Sequence, residues 1–357
     1  MGCWQSCNRD SRSVAGDATK ILQAINLGST KRLSALLNYF KSVSTIEIFD
    51  SVLIKHENIM INALGLCLLQ NRFELFRLLI ENNCSPVLME EILSKENISV
   101  MHTICIEGYV EILKIYFPYY LQTNRSQSEN SYSFAFTQKE NIPVKGLPIH
   151  VAAHAGQVGI VAYIYEYFSE LATIPSDFDV NSREETSGEN CALIACREGH
   201  YNLVKYLHEN TNANFEALND FKENAIMIAV AGMRKKTSYS YIDIVEYLVE
   251  KVKLDIKYMF EELLIMASSP ILIKYIEDRL HEEGIPSSKE SVEKLNPNPK
   301  RITKPDEETS PLDIFFTNSF VQDLELLKKR SIISTISMYP ESIDLDKQII
   351  ESLLLPE

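Results

Sequence analysis

The chain has 357 residues, of which 45% are hydrophobic, and a formal net charge of −14 at pH 7. This length and hydrophobic content can bury one large core or a row of small ones. The negative charge argues against nucleic acid as a partner, because nucleic-acid-binding proteins usually carry a basic stripe.

No apolar run approaches the ~18 residues that cross a bilayer, and residues 1–20 lack the apolar centre of a secretory signal. The seven cysteines are an odd number, and five of them lie within apolar helical patterns. We therefore expect buried thiols in a reducing compartment, with no disulfide framework. The expected location is the cytosol, or the periphery of a membrane if the N-terminus is acylated.

The first six residues, MGCWQS, fit the pattern for N-myristoylation, with Gly2 exposed after methionine removal and Ser6 at the required distance. One myristoyl chain gives only weak membrane binding, about 10⁴ M⁻¹, so a second signal is needed. Palmitoylation of Cys3 would supply it. The alternative is that these residues occur by chance on an ordinary disordered terminus. We interpret residues 1–14 as a disordered acylation segment with lipidation sites at Gly2 and Cys3.

Residues 15–282 hold about seven pairs of short helical patterns. In the first five pairs an apolar pattern ends near glycine or asparagine, which tolerate positive φ, and an amphipathic pattern follows. The second pattern of the sixth pair starts late, and the seventh pair is shorter. The first patterns of the pairs start near Ile21, Asn62, Ser99, Leu147, Asn190, Asn224 and Glu262. The polar stretches Gln122–Lys145 and Met233–Ser240 are interpreted as a long loop and an insertion.

The remaining chain is more polar. Residues 283–309 contain four prolines and are interpreted as a flexible linker. At 310–315 the sequence SPLDIF opens a further, terminal repeat, and the chain closes with an acidic tail. We therefore assign 310–357 to a terminal repeat and this tail.

Two segments state the repeat most clearly: Leu147–Tyr167 reads LPIHVAAHAGQVGIVAYIYEY, and Asn190–Leu207 reads NCALIACREGHYNLVKYL. They resemble the ankyrin repeat, with LPIH in place of T-P-L-H and Gly199-His200 in place of G-H. The step from Asn190 to the equivalent Asn224 is 34 residues, close to the ankyrin period of about 33. The resemblance implies an all-α, ankyrin-like solenoid of stacked helix-turn-helix repeats with long loop insertions.

In ankyrin proteins the contact residues lie just before the T-P-L-H-like turn and at the exposed end of the first helix. The resemblance therefore implies a partner-binding set: Gln70, Glu107, Val144, His154, Thr186, Ser187, Glu189, Arg197, Glu198, Asp220, Phe221 and Glu223. Phe221 is the expected anchor, since interface cores favour aromatic residues. The surface leans acidic, which favours a protein partner with a basic patch. For each residue the alternative is an ordinary solvated helix end. We expect Phe221→Ala with Arg197→Glu to weaken binding without unfolding the stack.

Histidine and cysteine occur at helical spacings that a nucleophile with its base, or half of a metal site, would use: His102 with Cys105, and Cys196 with His200. In the ankyrin register these residues fill structural positions, with cysteine as a small hydrophobe. We therefore predict no catalytic residue, no metal and no cofactor. The competing hypothesis is a cysteine-dependent hydrolase or transferase built around Cys191 or Cys196 with His150 or His154.

The favoured function is a non-catalytic adaptor that binds a protein on its concave ankyrin-like face. One setting would unite the repeats, the acylation motif and the acidic tail, namely a type IV secreted effector of an intracellular bacterium acting in a eukaryotic host cell. A eukaryotic adaptor of the same design is equally compatible.

Overall fold

The computed structural model describes residues 11–43, 49–56, 59–123, 133–137, 140–144, 146–169, 174–235, 238, 240–285, 288–290 and 292. These residues all belong to the first of two compact units, 1–305 and 306–357. The predicted lipidation sites Gly2 and Cys3 and the predicted terminal repeat at 310–357 lie outside the described residues.

Helical hairpins follow one another through the described chain. They are α1 (Ser11–Asn26) with α2 (Thr30–Val43), α3 (Ala63–Leu69) with α4 (Phe73–Glu81), α6 (Val100–Glu107) with α7 (Val110–Thr123), α8 (Pro148–His154) with α9 (Val158–Ser169), α10 (Cys191–Glu198) with α11 (Tyr201–Asn210), α12 (Ala225–Lys235) with α13 (Ser240–Tyr247), and α14 (Phe260–Met266) with α15 (Pro270–Glu282). Each predicted helix pair between residues 15 and 282 corresponds to one hairpin. The predicted all-α solenoid is confirmed.

Short elements interrupt the hairpins. A lone helix, α5 (Pro86–Lys95), packs between α3 and α7. Two antiparallel strand pairs are present, β1 (Ile54–His56) with β2 (Ile59–Ile61) and β3 (Ser133–Thr137) with β4 (Glu140–Val144). A 3₁₀ turn spans Ser176–Phe178, and a π-helical turn, Leu248–Val252, continues α13. No helix among the described residues is long and apolar enough to cross a bilayer.

The first helix of several hairpins starts at a side-chain cap that the sequence supplies. Asn62 Oδ1 accepts from Gly65 N at 2.9 Å, and Asn190 Oδ1 accepts from Leu193 N at 3.0 Å. Asn224 caps α12 in the same way. These bonds satisfy amide groups that have no partner inside the helix, and each contributes roughly 1 kcal/mol to helix stability.

The core runs along the row of first helices. Every residue of α10 from Cys191 to Cys196 is fully buried, because α10 is packed between α8 on one side and α12 on the other. The second helix α11 is amphipathic and buries only Leu203, Val204 and Leu207. This difference explains the sequence pattern, in which an all-apolar helix is followed by one with a single apolar stripe.

Neighbouring hairpins also interlock at the turns between their helices. Gly199 ends α10 at φ 79°, and a Cβ there would lie 2.8 Å from the Tyr241 ring of the next hairpin. Gly156 has the same relationship with His200, whose Nε2 donates to the carbonyl oxygen of His154 at 2.8 Å. At both turns glycine is therefore needed for two reasons: it adopts a positive φ, and it has no side chain to collide with the next hairpin.

The structure differs from the sequence-based expectations in the connecting segments. The predicted loop 122–145 contains the β3–β4 pair, whose strands hold apolar runs that the polar composition of the segment concealed. The helix α5 was not predicted. The predicted insertion at 233–240 begins inside α12, which continues to Lys235.

Two predicted domain boundaries also differ. Helix α1 begins at Ser11, inside the segment interpreted as disordered, residues 1–14. The start of the predicted linker packs on the stack, because Lys289 N donates to Glu277 Oε1 at 2.8 Å and Val292 is buried. The packing of this part of the segment thus combines a hydrogen bond from a backbone amide with a buried apolar side chain.

Candidate functional site

Two long loops lie side by side before the N-terminal ends of α10 and α12. The 179–189 loop precedes α10 and the 212–223 loop precedes α12. Asn181 Oδ1 accepts from Asn214 N at 2.7 Å, and Asp220 N donates to Ser187 O at 2.9 Å. These bonds across the loops fix their relative position, so the side chains they carry form one surface.

Arg197, in the last turn of α10, is the centre of a charged cluster beneath this surface. Its Nη2 lies 2.9 Å from Glu189 Oε2 and 3.3 Å from Glu184 Oε1, and its Nε lies 3.6 Å from Glu198 Oε1. His154, at the end of α8, joins the group with Nε2 3.5 Å from Glu184 Oε2 and Nδ1 3.7 Å from Glu198 Oε1. We call these five residues the Arg197 cluster.

The cluster is largely removed from water. The side chains of Glu189 and Glu184 are 3% and 8% exposed, and that of Arg197 is 24% exposed. A buried carboxylate is costly unless it is paired, and removing one partner of a buried pair leaves an uncompensated charge. The five side chains therefore depend on one another.

The pKa values of the cluster follow from burial and pairing. Burial opposes the charge on His154, but hydrogen bonds with Glu184 and Glu198 outweigh it and raise its pKa to about 9. Burial also opposes the charge on Glu184, yet His154 and Arg197 hold its pKa well below its usual range. For Glu189 burial prevails over the attraction of Arg197, and its pKa is raised. His154 is therefore an imidazolium cation at neutral pH.

The second loop extends this network outward. Asn219 Nδ2 donates to Glu223 Oε2 at 2.9 Å, and the Asn219 Oδ1 accepts from the amides of Phe221 and Glu223 at 3.0 and 2.9 Å. Arg183 Nη2 lies 3.0 Å from the exposed carboxylate of Asp220. The loop presents Asp220 to solvent and holds Phe221 half-buried beside it.

The predicted partner-binding residues fall into two groups. The structure brings most of them together around the two loops: His154, Thr186, Ser187, Glu189, Arg197, Glu198, Asp220, Phe221 and Glu223. Ser187 and Glu189 are buried there, so they support the surface from beneath. Gln70 follows the last residue of α3, where its Nε2 donates to Asn26 Oδ1, and Glu107 ends α6, where it accepts from Tyr109. Val144 ends β4, and its side chain is outside the described part of the chain.

The Arg197 contacts correct one expectation. Arg197→Glu was expected to spare the fold, but the structure surrounds this guanidinium with Glu184, Glu189 and Glu198. A fourth carboxylate at this position would be unpaired and close to three others, so the substitution is expected to unfold the stack.

Sequence reasoning missed three residues of this site: Glu184, Asn219 and Tyr241. Glu184 carries two ion pairs, and Tyr241 donates its hydroxyl to the Arg197 carbonyl oxygen at 3.0 Å. A signal for Glu184 was present, since residues 184–189 read EETSGE, an unusual density of acid for a short turn. Nothing in the local sequence indicated that Tyr241 would reach back to the preceding hairpin.

The two cysteines of the competing enzyme hypothesis lie in an environment that does not favour a reactive thiolate. Cys191 and Cys196 are fully buried, and burial raises the pKa of both thiols well above its ordinary value. A catalytic cysteine needs the opposite shift. Cys191 Sγ lies 3.8 Å from the Ile149 carbonyl oxygen, and His150 Nε2 donates to Ser182 O at 2.8 Å. Both groups thus have structural contacts.

The described residues include five free, buried cysteines. Within this same part of the chain, no group of three or more histidine, cysteine, aspartate or glutamate side chains is arranged to hold a metal ion.

Comparison with known proteins identifies the repeats. Residues 149–259 match the family model described as ankyrin repeats (3 copies). A solved structure of the ankyrin repeat domain of Bcl-3, described as a unique member of the IkappaB protein family, is 17% identical in sequence. The similarity covers 71% of this chain and 96% of that domain, with a TM-score of 0.44. No curated protein matches the sequence. Ankyrin repeats are modules for protein–protein interaction. This chain contains such ankyrin repeats, matched over residues 149–259.

Proposed function

We propose that this chain is a non-catalytic adaptor that binds a protein partner on the surface formed by the 179–189 and 212–223 loops and the ends of α8 and α10. The observation that supports it is the Arg197 cluster, which ties the 179–189 loop to the ends of α8 and α10 beneath this surface. The bond from Asp220 N to Ser187 O joins the 212–223 loop to the first loop. Such preorganisation lowers the ordering cost of binding, since the surface has its bound shape before the partner arrives.

The charge of this surface favours a partner with a basic patch. Residues 183–223 hold eight aspartates and glutamates against four lysines and arginines. Three of the acids, Glu185, Glu216 and Asp220, are exposed on the loops. Complementary charge would steer the partner and select its orientation, and half-buried Phe221 would add apolar contact at the centre.

Proximity labelling in cells, followed by titration calorimetry with the partner it identifies, tests this function. The test variant is Glu185→Lys with Glu216→Lys, which reverses two exposed loop charges. The matched control is Glu74→Lys with Glu166→Lys, which reverses two exposed charges on α4 and α9. We expect the test variant to lose the partner and the control to keep it. Equal affinity for both variants would contradict the proposed surface.

We further propose that acylation of Gly2 and Cys3 holds the adaptor at a membrane. The MGCWQS motif supports this, because it offers one site for each of the two acyl chains that stable anchoring needs. Metabolic labelling with alkyne-tagged myristate and palmitate should mark the wild type. Gly2→Ala should lose the first label, and Cys3→Ser should keep it and lose the second.

The combination of repeats, acylation motif and acidic tail also fits an effector delivered into a host cell. A translocation reporter fused to the chain tests this origin.

Residues 310–357 are proposed to form a terminal repeat with an acidic tail. Limited proteolysis that leaves residues 310–330 intact would support this terminal repeat.

A further inference from the structure

We propose that the outward face of α2 docks on an anionic lipid surface. The inference rests on the acylation within the proposed function, since it supplies a further membrane signal beside the acyl chains. A single myristoyl chain needs a second membrane-binding signal for stable anchoring, and a basic patch can supply it.

The charge of the N-terminal hairpin is opposite to that of the whole chain. Residues 1–43 contain six lysines and arginines against two aspartates, in a chain whose net charge is −14. Helix α2 itself carries Lys31, Arg32 and Lys41 and no acid. The second helices of other hairpins carry acids, among them Glu74 in α4 and Glu166 in α9. The positive charge is thus local to the end of the stack nearest the acylation motif.

The exposed side of α2 also carries apolar side chains. Leu33, Leu37 and Phe40 are buried against the stack. Tyr39 and Val43 are 51% and 55% exposed and lie on the same helix face as Arg32, at steps of seven and four residues. Arg32 is exposed at the other end of this face, and the adjacent Lys31 is exposed as well. Basic and aromatic or aliphatic side chains on one helix face are the composition of a membrane-surface helix.

The position of this face suits the N-terminal acyl chain. Helices α1 and α2 form an antiparallel hairpin, so the end of α2 with Tyr39 and Val43 lies beside the start of α1. Gly2 precedes the first residue of α1, Ser11, by nine positions. Nine residues reach at most about 30 Å, which is enough for both signals to meet one bilayer.

Vesicle sedimentation of the myristoylated full-length protein tests the inference. The probes are phosphatidylcholine vesicles with and without about 30% phosphatidylserine, because only the anionic lipid attracts a basic face. Each basic residue near the surface is worth about 5-fold in affinity. We therefore expect Lys31→Glu with Arg32→Glu to lose at least about 20-fold on the anionic vesicles and little on the neutral ones.

A second variant, Tyr39→Ser with Val43→Ser, should bind both kinds of vesicle more weakly. The matched control, Ile271→Ser with Lys274→Glu, changes an exposed apolar and an exposed basic residue on α15 and should bind like the wild type. Thermal melts of all variants verify that the fold is kept.

Wild-type affinity of the Lys31/Arg32 variant for anionic vesicles would overturn the inference, as would an equal loss in the α15 control. Loss of a cellular protein partner with vesicle binding intact would identify a protein site and overturn it too. The Gly2→Ala variant separates the contribution of the acyl chain from that of the α2 face. If this variant still binds anionic vesicles and the Lys31/Arg32 change still abolishes binding, the face binds without the acyl chain, and the acylation proposal is decided separately by the metabolic labelling.

Discussion

The hydroxyl of Tyr241 donates to the carbonyl oxygen of Arg197 across 3.0 Å, so that α13 of one hairpin holds the end of α10 in the hairpin before it. The same tyrosine ring lies against Gly199, where a Cβ would come within 2.8 Å of it. The site's central arginine is thus positioned by a contact between consecutive hairpins.

Tyr241→Phe should destabilise the stack by about 1 kcal/mol, because it removes one hydrogen bond and keeps the ring. Gly199→Ala should cost more, since it combines a strained positive φ with a collision against Tyr241. Urea denaturation of both variants measures the free energies of unfolding. Gly16→Ala is the control, because it lies in α1 with no heavy atom within 4 Å of the added Cβ. A Gly199→Ala protein as stable as the Gly16→Ala protein would contradict the interlocking of the hairpins.

Arg197→Met should destabilise the fold by about 3–5 kcal/mol, because it removes the cation paired with buried Glu189 and leaves buried Glu184 with His154 alone. Arg197→Lys keeps the charge and should lose less, although a lysine cannot contact both glutamates with two guanidinium nitrogens. Circular dichroism during urea unfolding gives both values. Arg183→Met, which removes an exposed pair with Asp220, should cost less than about 1 kcal/mol. Equal costs at positions 183 and 197 would refute the assigned role of burial.

Stability should depend on pH through His154. Its pKa rises from an ordinary 6.5 to about 9 on folding. The stabilisation is therefore fully present below pH 6.5 and is lost as the pH rises towards 9. A shift of this size corresponds to roughly 3 kcal/mol. Chemical denaturation between pH 6 and pH 10 should show this decline in the wild type, and His154→Gln should flatten it. A decline that persists unchanged in the variant would assign it to another group.

Glu184 should make the stability of the fold depend on pH in the acidic range. Its pKa is lowered on folding by His154 and Arg197, so its stabilisation is present above its unfolded pKa and is lost as the pH falls. Glu184→Gln should therefore be less stable than the wild type at pH 6 and approach it at lower pH. Denaturation curves between pH 6 and pH 3 make the comparison. A difference that grows towards low pH would have the wrong sign.

The five buried cysteines should react slowly with iodoacetamide in the native protein, because burial raises their thiol pKa values. They should become reactive together in denaturant. Mass spectrometry after timed labelling resolves each site. Rapid native labelling of Cys191 or Cys196 would support the cysteine-dependent enzyme instead.

The sequence predicted the hairpins because each signal is local. The side-chain oxygen of Asn190 caps the start of α10, and Gly199 ends this helix. The apolar stripe of α11 follows within a few residues. The Arg197 cluster was predicted only in part, since it joins residues from positions 154 to 198 that periodicity treats separately. The predicted set contained His154, Glu189, Arg197 and Glu198, but as exposed contacts and not as ion-pair partners, and it lacked Glu184. Helix α5 was missed because no paired helix follows it to complete the pattern.

The interlocking turns mean that the hairpins are not interchangeable parts. Gly108 lies against Gln157, Gly156 against His200 and Gly199 against Tyr241, so each glycine accommodates a side chain of different size and chemistry. A chimera that exchanges the third and fifth hairpins would present a tyrosine where a glutamine fits. The order of the repeats is therefore encoded in their junctions, and shuffling them should cost cooperativity even where every individual helix is kept.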